Sequence, residues 1–401
     1  MRRERFLPYA HQAVEEADIQ AVVRVLRSDW LTTGPEVEQF EAELADAVGA
    51  RVAVAFTSAT AALHASVAAA GVGPGDEGIT TPLTFCATAN CLLFQGARPV
   101  FADVEDATLT VDPAQIDRRL THKTKVIIPM DYGGHPAELE TIRALARRRG
   151  LLVIEDACHA LGARYRGKPV GSWSDITVFS FHPVKHITTG EGGMAVTNDF
   201  TLGKRLRRFR NHGIVRLSRD QIKRPWFYQV RELGYNYRIP DILCALGRSQ
   251  LSRLVMNLAR RHAIAARYTE AFRAWPGIRT PRVKPGVNPA WHLYPIRVQP
   301  TGAGVSRDTV VERLRQDSIG TSVHYIPLPW HPWYRKHLGI KRGEYPVAES
   351  AFRQLVSLPL FHGMSDQDVD DVIQAMSRIL GRPTRRASRI RSAATTNGNP
   401  R

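Results

Sequence analysis

From about residue 50 the chain alternates between apolar runs of strand length and stretches with helical spacing. RVAVAF (51–56) reads as a strand and SATAALHASVAAAG (58–71) as a helix, with Ser58 near its start and Gly71 closing it. GITTP, FCATANCLLFQG and RPVFADV continue as strand, helix and strand, and a helix near PAQIDRRL leads to the strand KVIIPM. AELETIRALARRRG is a helix with arginines in its last turn and Gly150 as its cap, and LLVIED is again a strand. This rhythm implies an α/β fold: a mostly parallel sheet with helices on both faces. Ligands of such sheets sit beyond the carboxyl ends of the strands, so those ends are where chemistry is sought.

Farther along, DITVFSF and GGMAVTND read as strands and LGKRLRRFRNHG as a helix. IPDILCALGRSQLSRLVMNLARRHAIAARYTEAF reads as one long helix leading to a second domain near residue 275, where WPGIRTPRVKPGVNP is rich in Pro and Gly. That domain holds the strand LYPIRV and the helices SRDTVVERLRQDS and SDQDVDDVIQAMSRIL. The expected division is an N-terminal arm (1–30), a large domain (31–255), a smaller C-terminal α/β domain (256–380) and an arginine-rich tail (381–401). A length of 401 residues suits such a pair of cores. GVGPGD at 71–76 follows a helix rather than a strand, so it reads as a turn and not as a dinucleotide fingerprint.

The formal net charge of +17 raises the question of nucleic acid. The tail RPTRRASRIRSAATTNGNPR supplies six arginines and no acid, and residues 204–224 hold nine basic residues against one Asp. No zinc-finger spacing, RNP-type strand or basic-leucine pattern accompanies them. The tail reads as disordered. The internal cluster is either a solvated helix face or an attractor for a phosphorylated substrate. The first residues, MRRERFLPYAH, lack the apolar run of a signal peptide, and ATAALHASVAAAG is too short to span a bilayer, so a cytoplasmic location is the expectation. Cys86, Cys91, Cys158 and Cys244 show no metal-ligand spacing and read as small buried apolar residues; no metal is expected.

Three stretches fall at strand ends. TSATAAL (57–63) places small residues at a helix start, where free N–H groups and the helix dipole favour a phosphate; a plain Ser58 cap explains it as well. EDACHALGA (155–163) puts Asp156 at the mouth of an apolar strand. FSFHPVKHITTGEGG (179–193) puts Lys185 between a buried strand and a flexible turn, a poor choice for packing alone. A phosphate seat, a carboxylate and an amine in this order suggest pyridoxal 5'-phosphate. That cofactor needs an amine for a Schiff base, an acid at its ring nitrogen and an anion site.

These blocks, with TTPLTFCATAN and GYNYRIPDILCALGRSQL (234–251), resemble the DegT/StrS-type sugar-nucleotide aminotransferases, a branch of the fold-type I pyridoxal-phosphate enzymes. The resemblance runs from about residue 7 to residue 380. It implies that Lys185 carries the cofactor and shuttles a proton, and that Asp156 pairs with the ring nitrogen. It implies further that Phe85 stacks on one ring face, that His159 lies near the ring, and that Ala59, Thr60 and Ser180 grip the phosphate. Asn236 would reach that phosphate from a neighbouring subunit, making a homodimer part of the active site. Arg238, His324 and Tyr325 would meet the nucleotide diphosphate and sugar, and Thr33 would border the sugar pocket; His182 and Glu191 lie inside the lysine block with either a functional or a structural role. Gly78 stands where relatives usually carry valine, which should loosen that strand. His186 stands where close relatives often have proline, and substrate preference is what it would alter.

TTPLTFCATAN, the HPVK block and SVHYIPLPWHPWYRKHLG (322–339) are most similar to family members that aminate carbon 4 of a UDP-4-keto-6-deoxy-N-acetylhexosamine in pseudaminic acid synthesis, with L-glutamate as the expected donor. Other readings are amination at carbon 3 or of a dTDP sugar, a pyridoxal-phosphate sugar dehydratase, and a non-catalytic regulatory protein on the same scaffold. The dehydratases replace the lysine by histidine, and retention of lysine, aspartate and phosphate-site residues argues against a silent scaffold.

Overall fold

A computed structural model describes residues 3–215, 226–299 and 305–381. The tail and the distal half of the 204–224 basic cluster, about which the sequence raised disorder and anion attraction, lie outside the described residues.

The expected α/β organisation is present. Seven strands form one sheet in the order Val52–Phe56, Gly193–Thr197, Ile176–Ser180, Leu152–Asp156, Thr124–Ile128, Glu77–Thr80, Arg98–Phe101. The strands from Ile176–Ser180 to Arg98–Phe101 pair in parallel, while Gly193–Thr197 runs antiparallel to both of its neighbours. The reversal has a simple origin. Only twelve residues separate Ser180 from Gly193, the lower limit for a parallel crossover, and they form no helix. VAVAF, ITVFS and GMAVT are buried at every position, as befits strands covered on both faces.

Helix Ala59–Ala69 begins one short step after Val52–Phe56 and is capped by Ser58, whose side chain accepts from the Ala61 N–H at 3.1 Å. Its start lies hard against the sheet. A Cβ on Gly193 would come within 2.4 Å of Ala59 N, so glycine there is what allows the helix to begin where it does. Gly78 is likewise filled space: a Cβ would meet Leu92 Cδ2 at 2.4 Å. The expected loosening therefore gives way to a tight packing contact between strand Glu77–Thr80 and helix Ala87–Phe94.

The expected long helix is two helices, Asp241–Leu251 and Leu254–Phe272. The break sits at Ser252–Arg253, where Arg253 turns to meet the fully buried Asp18 of helix Glu16–Leu26 at 2.7 Å. Gln250 also donates to Asp18 Oδ2, at 2.7 Å, and to Ala13 O, at 2.8 Å. No glycine or proline marks this junction; a contact with the N-terminal arm makes it.

A second core gathers around a three-stranded antiparallel sheet, Ile278–Arg279, Tyr294–Val298 and Leu355–Leu358. Ile264, Tyr268 and Phe272 from one helix, Val310 and Leu314 from Arg307–Gln316, and Val369, Val372 and Met376 from Asp366–Leu380 close over it. Leu7 reaches the same core, donating to Ser318 O at 2.9 Å. Cys91 and Cys244 are buried as expected, but Cys86 and Cys158 are only partly so. Cys86 occupies the entry to helix Ala87–Phe94, and Cys158 lies past a strand end, where the sheet opens to a cavity.

Candidate active site

Beyond the carboxyl ends of the parallel strands lies a cavity of about 500 Å³. Asp156 ends strand Leu152–Asp156, Ser180 ends Ile176–Ser180, and Lys185 follows on the loop to the antiparallel strand. The loop is rigid despite its glycines. Thr188 Oγ1 and Thr189 N both donate to Phe181 O at 3.0 Å, Gly190 N donates to Thr188 Oγ1 at 2.9 Å, and Lys185 N donates to His182 O at 2.9 Å. Thus the threonines that looked like flexible turn residues hold the lysine's backbone in one place.

Asp156 is 3% exposed. Its Oδ2 accepts from Thr88 Oγ1 at 2.7 Å and its Oδ1 from the Cys158 N–H at 3.2 Å, two donors that fix the orientation of the carboxyl group. Lys185 feels the opposite pressure. Burial strips water from its ammonium and lowers its pKa from 10.5, while the Asp156 carboxylate offsets part of that fall. A lysine whose ammonium form is disfavoured in this way is a readier nucleophile than a solvated one.

The wall opposite is the start of helix Ala59–Ala69, with Ser58, Ala59 and Thr60 facing the cavity. The first N–H groups of a helix have no intrahelical acceptor, and with Ser180 beside them they form a seat for an anion. Phe85 stands at the rim, 56% exposed, its ring 6.3 Å from that of Tyr325. His159 is buried, accepts from the Gly133 N–H at 3.3 Å through Nδ1, and lies 3.0 Å from the Tyr325 hydroxyl through Nε2. Burial, then the nearby Lys185 ammonium, holds His159 well below an ordinary histidine pKa, and burial brings His324 to about 4, so both rings are neutral at physiological pH.

Of the residues singled out from the sequence, Ala59, Thr60, Phe85, Asp156, His159, Ser180, His182, Lys185, Glu191, His324 and Tyr325 line this one cavity. Three do not. Asn236 is exposed, with its backbone bridged to Asn211; Arg238 donates to Asn211 Oδ1 at 2.6 Å; and Thr33 lies on the surface with its hydroxyl on Thr32 O. His186 also turns away: it is buried with Nε2 3.0 Å from Ala290 O, so it fastens two loops rather than facing a substrate.

The structure adds residues that the sequence did not flag. His292 comes from the segment before Tyr294–Val298 and lies 3.5 Å from Lys185 Nζ through Nε2. It is held by the fully buried Arg261, whose Nη1 donates to Trp291 O at 3.1 Å and Leu360 O at 3.2 Å. No motif marks His292, which stands 107 residues from the lysine. Thr88 lay within a quoted block, but only the fold aims its hydroxyl at Asp156. Tyr9, from the N-terminal arm, completes the lining on one side.

Residues 12–377 match the DegT/DnrJ/EryC1/StrS aminotransferase family. The chain belongs to that family. The spore coat polysaccharide biosynthesis protein SpsC of Bacillus subtilis is 43% identical over 382 residues, covering 94% of this chain and 98% of that protein. A putative sugar aminotransferase of Streptococcus pneumoniae, solved in its PMP form, superposes with a TM-score of 0.88 at 32% identity, covering 94% of this chain and 99% of the other. Helicobacter pylori PseC, an aminotransferase involved in the biosynthesis of pseudoaminic acid, superposes with a TM-score of 0.87 at 31% identity, covering 94% and 100%.

The fold is therefore that of the pyridoxal-phosphate aminotransferases, and this aminotransferase uses the same cofactor, which its neighbours carry in PLP and PMP forms. The residues present fit it. An amine, a carboxyl group and a helix N-terminus line one cavity of suitable size, and a buried threonine donates to the carboxyl. Among the described residues no group of His, Cys, Asp or Glu could hold a metal ion, and no helix is long and apolar enough to cross a membrane.

Proposed function

We propose that this aminotransferase moves an amino group from an amino acid, L-glutamate by family expectation, to carbon 4 of a UDP-4-keto-6-deoxy-N-acetylhexosamine. The product is a UDP-4-amino-4,6-dideoxy sugar of the pseudaminic-acid type. The observation that carries the chemistry is the facing of Lys185 and Asp156 across the cavity whose remaining wall is the helix start at Ser58–Thr60. Bound pyridoxal phosphate supplies an electron-withdrawing ring that stabilises charge at the carbon next to the transferred nitrogen. Asp156 would hold the cofactor at its ring nitrogen and favour a proton there. Lys185 Nζ would hold the cofactor and serve as the base that moves a proton at the reacting carbon. Ala59, Thr60 and Ser180 would hold its phosphate, with Phe85 and His159 beside its ring.

For the sugar nucleotide, the reading assigns His324 and Tyr325 within the cavity, with Arg238 and Thr33 at its approaches. Asn236, exposed and outside the chain's own cavity, is proposed to complete the phosphate site of a second copy, so the working unit is a homodimer in the cytoplasm. Likeness to PseC supports the choice of sugar.

A second reading follows from the higher identity to SpsC, whose name ties it to spore coat polysaccharide. On that reading the substrate is another nucleotide keto-sugar, dTDP-linked or aminated at carbon 3. Incubating the purified protein with glutamate and a panel of UDP- and dTDP-keto sugars, then locating the new nitrogen by mass and NMR, separates the two. A product aminated at carbon 3 removes the first reading, and no product from any sugar removes both.

A further inference from the structure

We propose that His159 and Tyr325 form a fixed donor pair, in which the backbone of Gly133 locks His159 as the Nε2–H tautomer and His159 in turn obliges Tyr325 to donate its hydroxyl hydrogen into the cavity. Gly133 N–H points at Nδ1 of His159 at 3.3 Å, so that nitrogen is an acceptor and carries no hydrogen. The ring is 1% exposed and lies beside the Lys185 amine, which excludes the cationic form. The neutral ring must then carry its hydrogen on Nε2, and at 3.0 Å from there sits the Tyr325 oxygen. With Nε2–H donating, that oxygen accepts, and its own hydrogen turns elsewhere. Among the described residues no second hydrogen-bond partner is present for this hydroxyl, which faces the cavity.

The turn that sets the tautomer also sets the tyrosine. Within Tyr132–Gly134, the Tyr132 hydroxyl donates to His324 O, the carbonyl just before Tyr325. Gly133 has φ 65° and Gly134 φ 98°, both in the left-handed region. A Cβ on Gly134 would lie 2.8 Å from His159 O and from Trp291 N. One glycine turn therefore grips His159, His324 and the segment bearing His292 at once. A phenol O–H buried without an acceptor is costly, so the bound ligand supplies one. A carbonyl, phenolate or phosphoryl oxygen meets this need; an ammonium group does not. The pocket thus calls, at this point, for a group with a free acceptor lone pair. Only the identity of the ligand rests on the proposed function, and the tautomer does not.

The test begins on cofactor-free protein labelled with ¹⁵N-histidine, with His159 assigned by the signal lost in His159→Gln. The expected result is an unprotonated Nδ1 and a protonated Nε2 that does not titrate near pH 6.5. An Nδ1–H tautomer, or ordinary titration, overturns the proposal. The acceptor oxygen belongs either to the cofactor ring or to the sugar nucleotide, and two titrations distinguish them. One follows pyridoxal phosphate binding to cofactor-free protein by absorbance, and the other follows UDP-N-acetylglucosamine binding to loaded protein by calorimetry. Tyr325→Phe weakens at least one of them about two- to thirteenfold, the worth of a net hydrogen bond, and the weakened arm names the source. His159→Leu weakens the same arm, and His159→Gln restores it because its amide can accept from Gly133 and donate to Tyr325. No weakening of either arm in Tyr325→Phe overturns the proposal. Because the tautomer is read without substrate, its failure is distinct from failure of the aminated-sugar assay.

Discussion

The Thr88 hydroxyl donates to Asp156 Oδ2 at 2.7 Å from helix Ala87–Phe94, joining a helix on one face of the sheet to the carboxylate at a strand end. Thr84 Oγ1 lies 2.7 Å from the same hydroxyl, so the carboxylate rests on a short chain of threonines rather than on an arginine or lysine. A hydroxyl orients the carboxyl group without supplying a competing cation.

Thr88→Val keeps the shape of the side chain and removes that donor. We expect a stability loss of about 1–2 kcal/mol, the cost of leaving a buried acceptor short of one partner. Weaker binding of pyridoxal phosphate should accompany it. Thr88→Ser should recover most of both. Urea denaturation and an absorbance titration with the cofactor check the two effects separately.

Beneath Asp156 lies a second carboxyl pair. Asp131 and Glu155 are both fully buried; Asp131 Oδ1 accepts from Ala137 N at 2.9 Å, and Glu155 Oε2 accepts from Ser174 at 2.8 Å and Thr177 at 2.9 Å. The remaining oxygens, Asp131 Oδ2 and Glu155 Oε1, have no other partner, which fits one proton held between them. Burial, then the Glu155 charge, raises the Asp131 pKa well above 3.8. A raised folded-state pKa stabilises the native chain below the unfolded value and is lost as pH rises through the folded one. Asp131→Asn supplies a permanent donor in place of the shared proton. Relative to wild type it should gain stability as pH rises from about 4, by up to about 1.4 kcal/mol per pH unit until Asp131 ionises. Thermal melts at several pH values measure this slope, and parallel curves for the two proteins would contradict the shared proton.

The sheet was legible in the sequence because its central strands are apolar runs, and two of the helices between them run into glycines, Gly71 and Gly150. Lys185, Asp156 and the small residues at 58–60 were legible because strand ends are where such folds place ligands. What escaped notice depends on contacts between distant segments. The helix break at Ser252–Arg253 is dictated by Asp18, more than two hundred residues earlier. His292 belongs to the C-terminal core and meets Lys185 only once the two cores are assembled. The antiparallel strand Gly193–Thr197 had a readable signal: its connection is at the short limit for a crossover and carries Pro183, Gly190 and Gly192 rather than a helical pattern.

Gly78 offers a direct test of packing against backbone loosening. Valine there would restore β-propensity but must occupy the space of Leu92 Cδ2, 2.4 Å from the new Cβ. Overpacking of this kind costs about 1–3 kcal/mol, more than the propensity returns. Gly78→Val should therefore lower the urea midpoint, and adding Leu92→Ala should recover part of the loss. A midpoint raised by Gly78→Val alone would mean that the strand is looser than the contact implies.

Lys185 should stand apart from the chain's other lysines in a reaction that needs only a neutral amine. Its pKa is lowered by burial and partly restored by the nearby Asp156 carboxylate. In cofactor-free protein at pH 8, a small aromatic aldehyde with borohydride should therefore label the peptide bearing Lys185 ahead of solvated lysines. Lys185→Ala should lose that label together with all transfer of amino groups. Asp156→Asn removes a charge that favours the ammonium, so the pH for half-maximal labelling should move lower, although binding of pyridoxal phosphate itself weakens. On the proposed roles the opposed changes follow from one cause, since the carboxylate assigned to the cofactor also raises the pKa of the amine. A labelling midpoint that rises in Asp156→Asn would show that the two groups do not sense each other across the cavity.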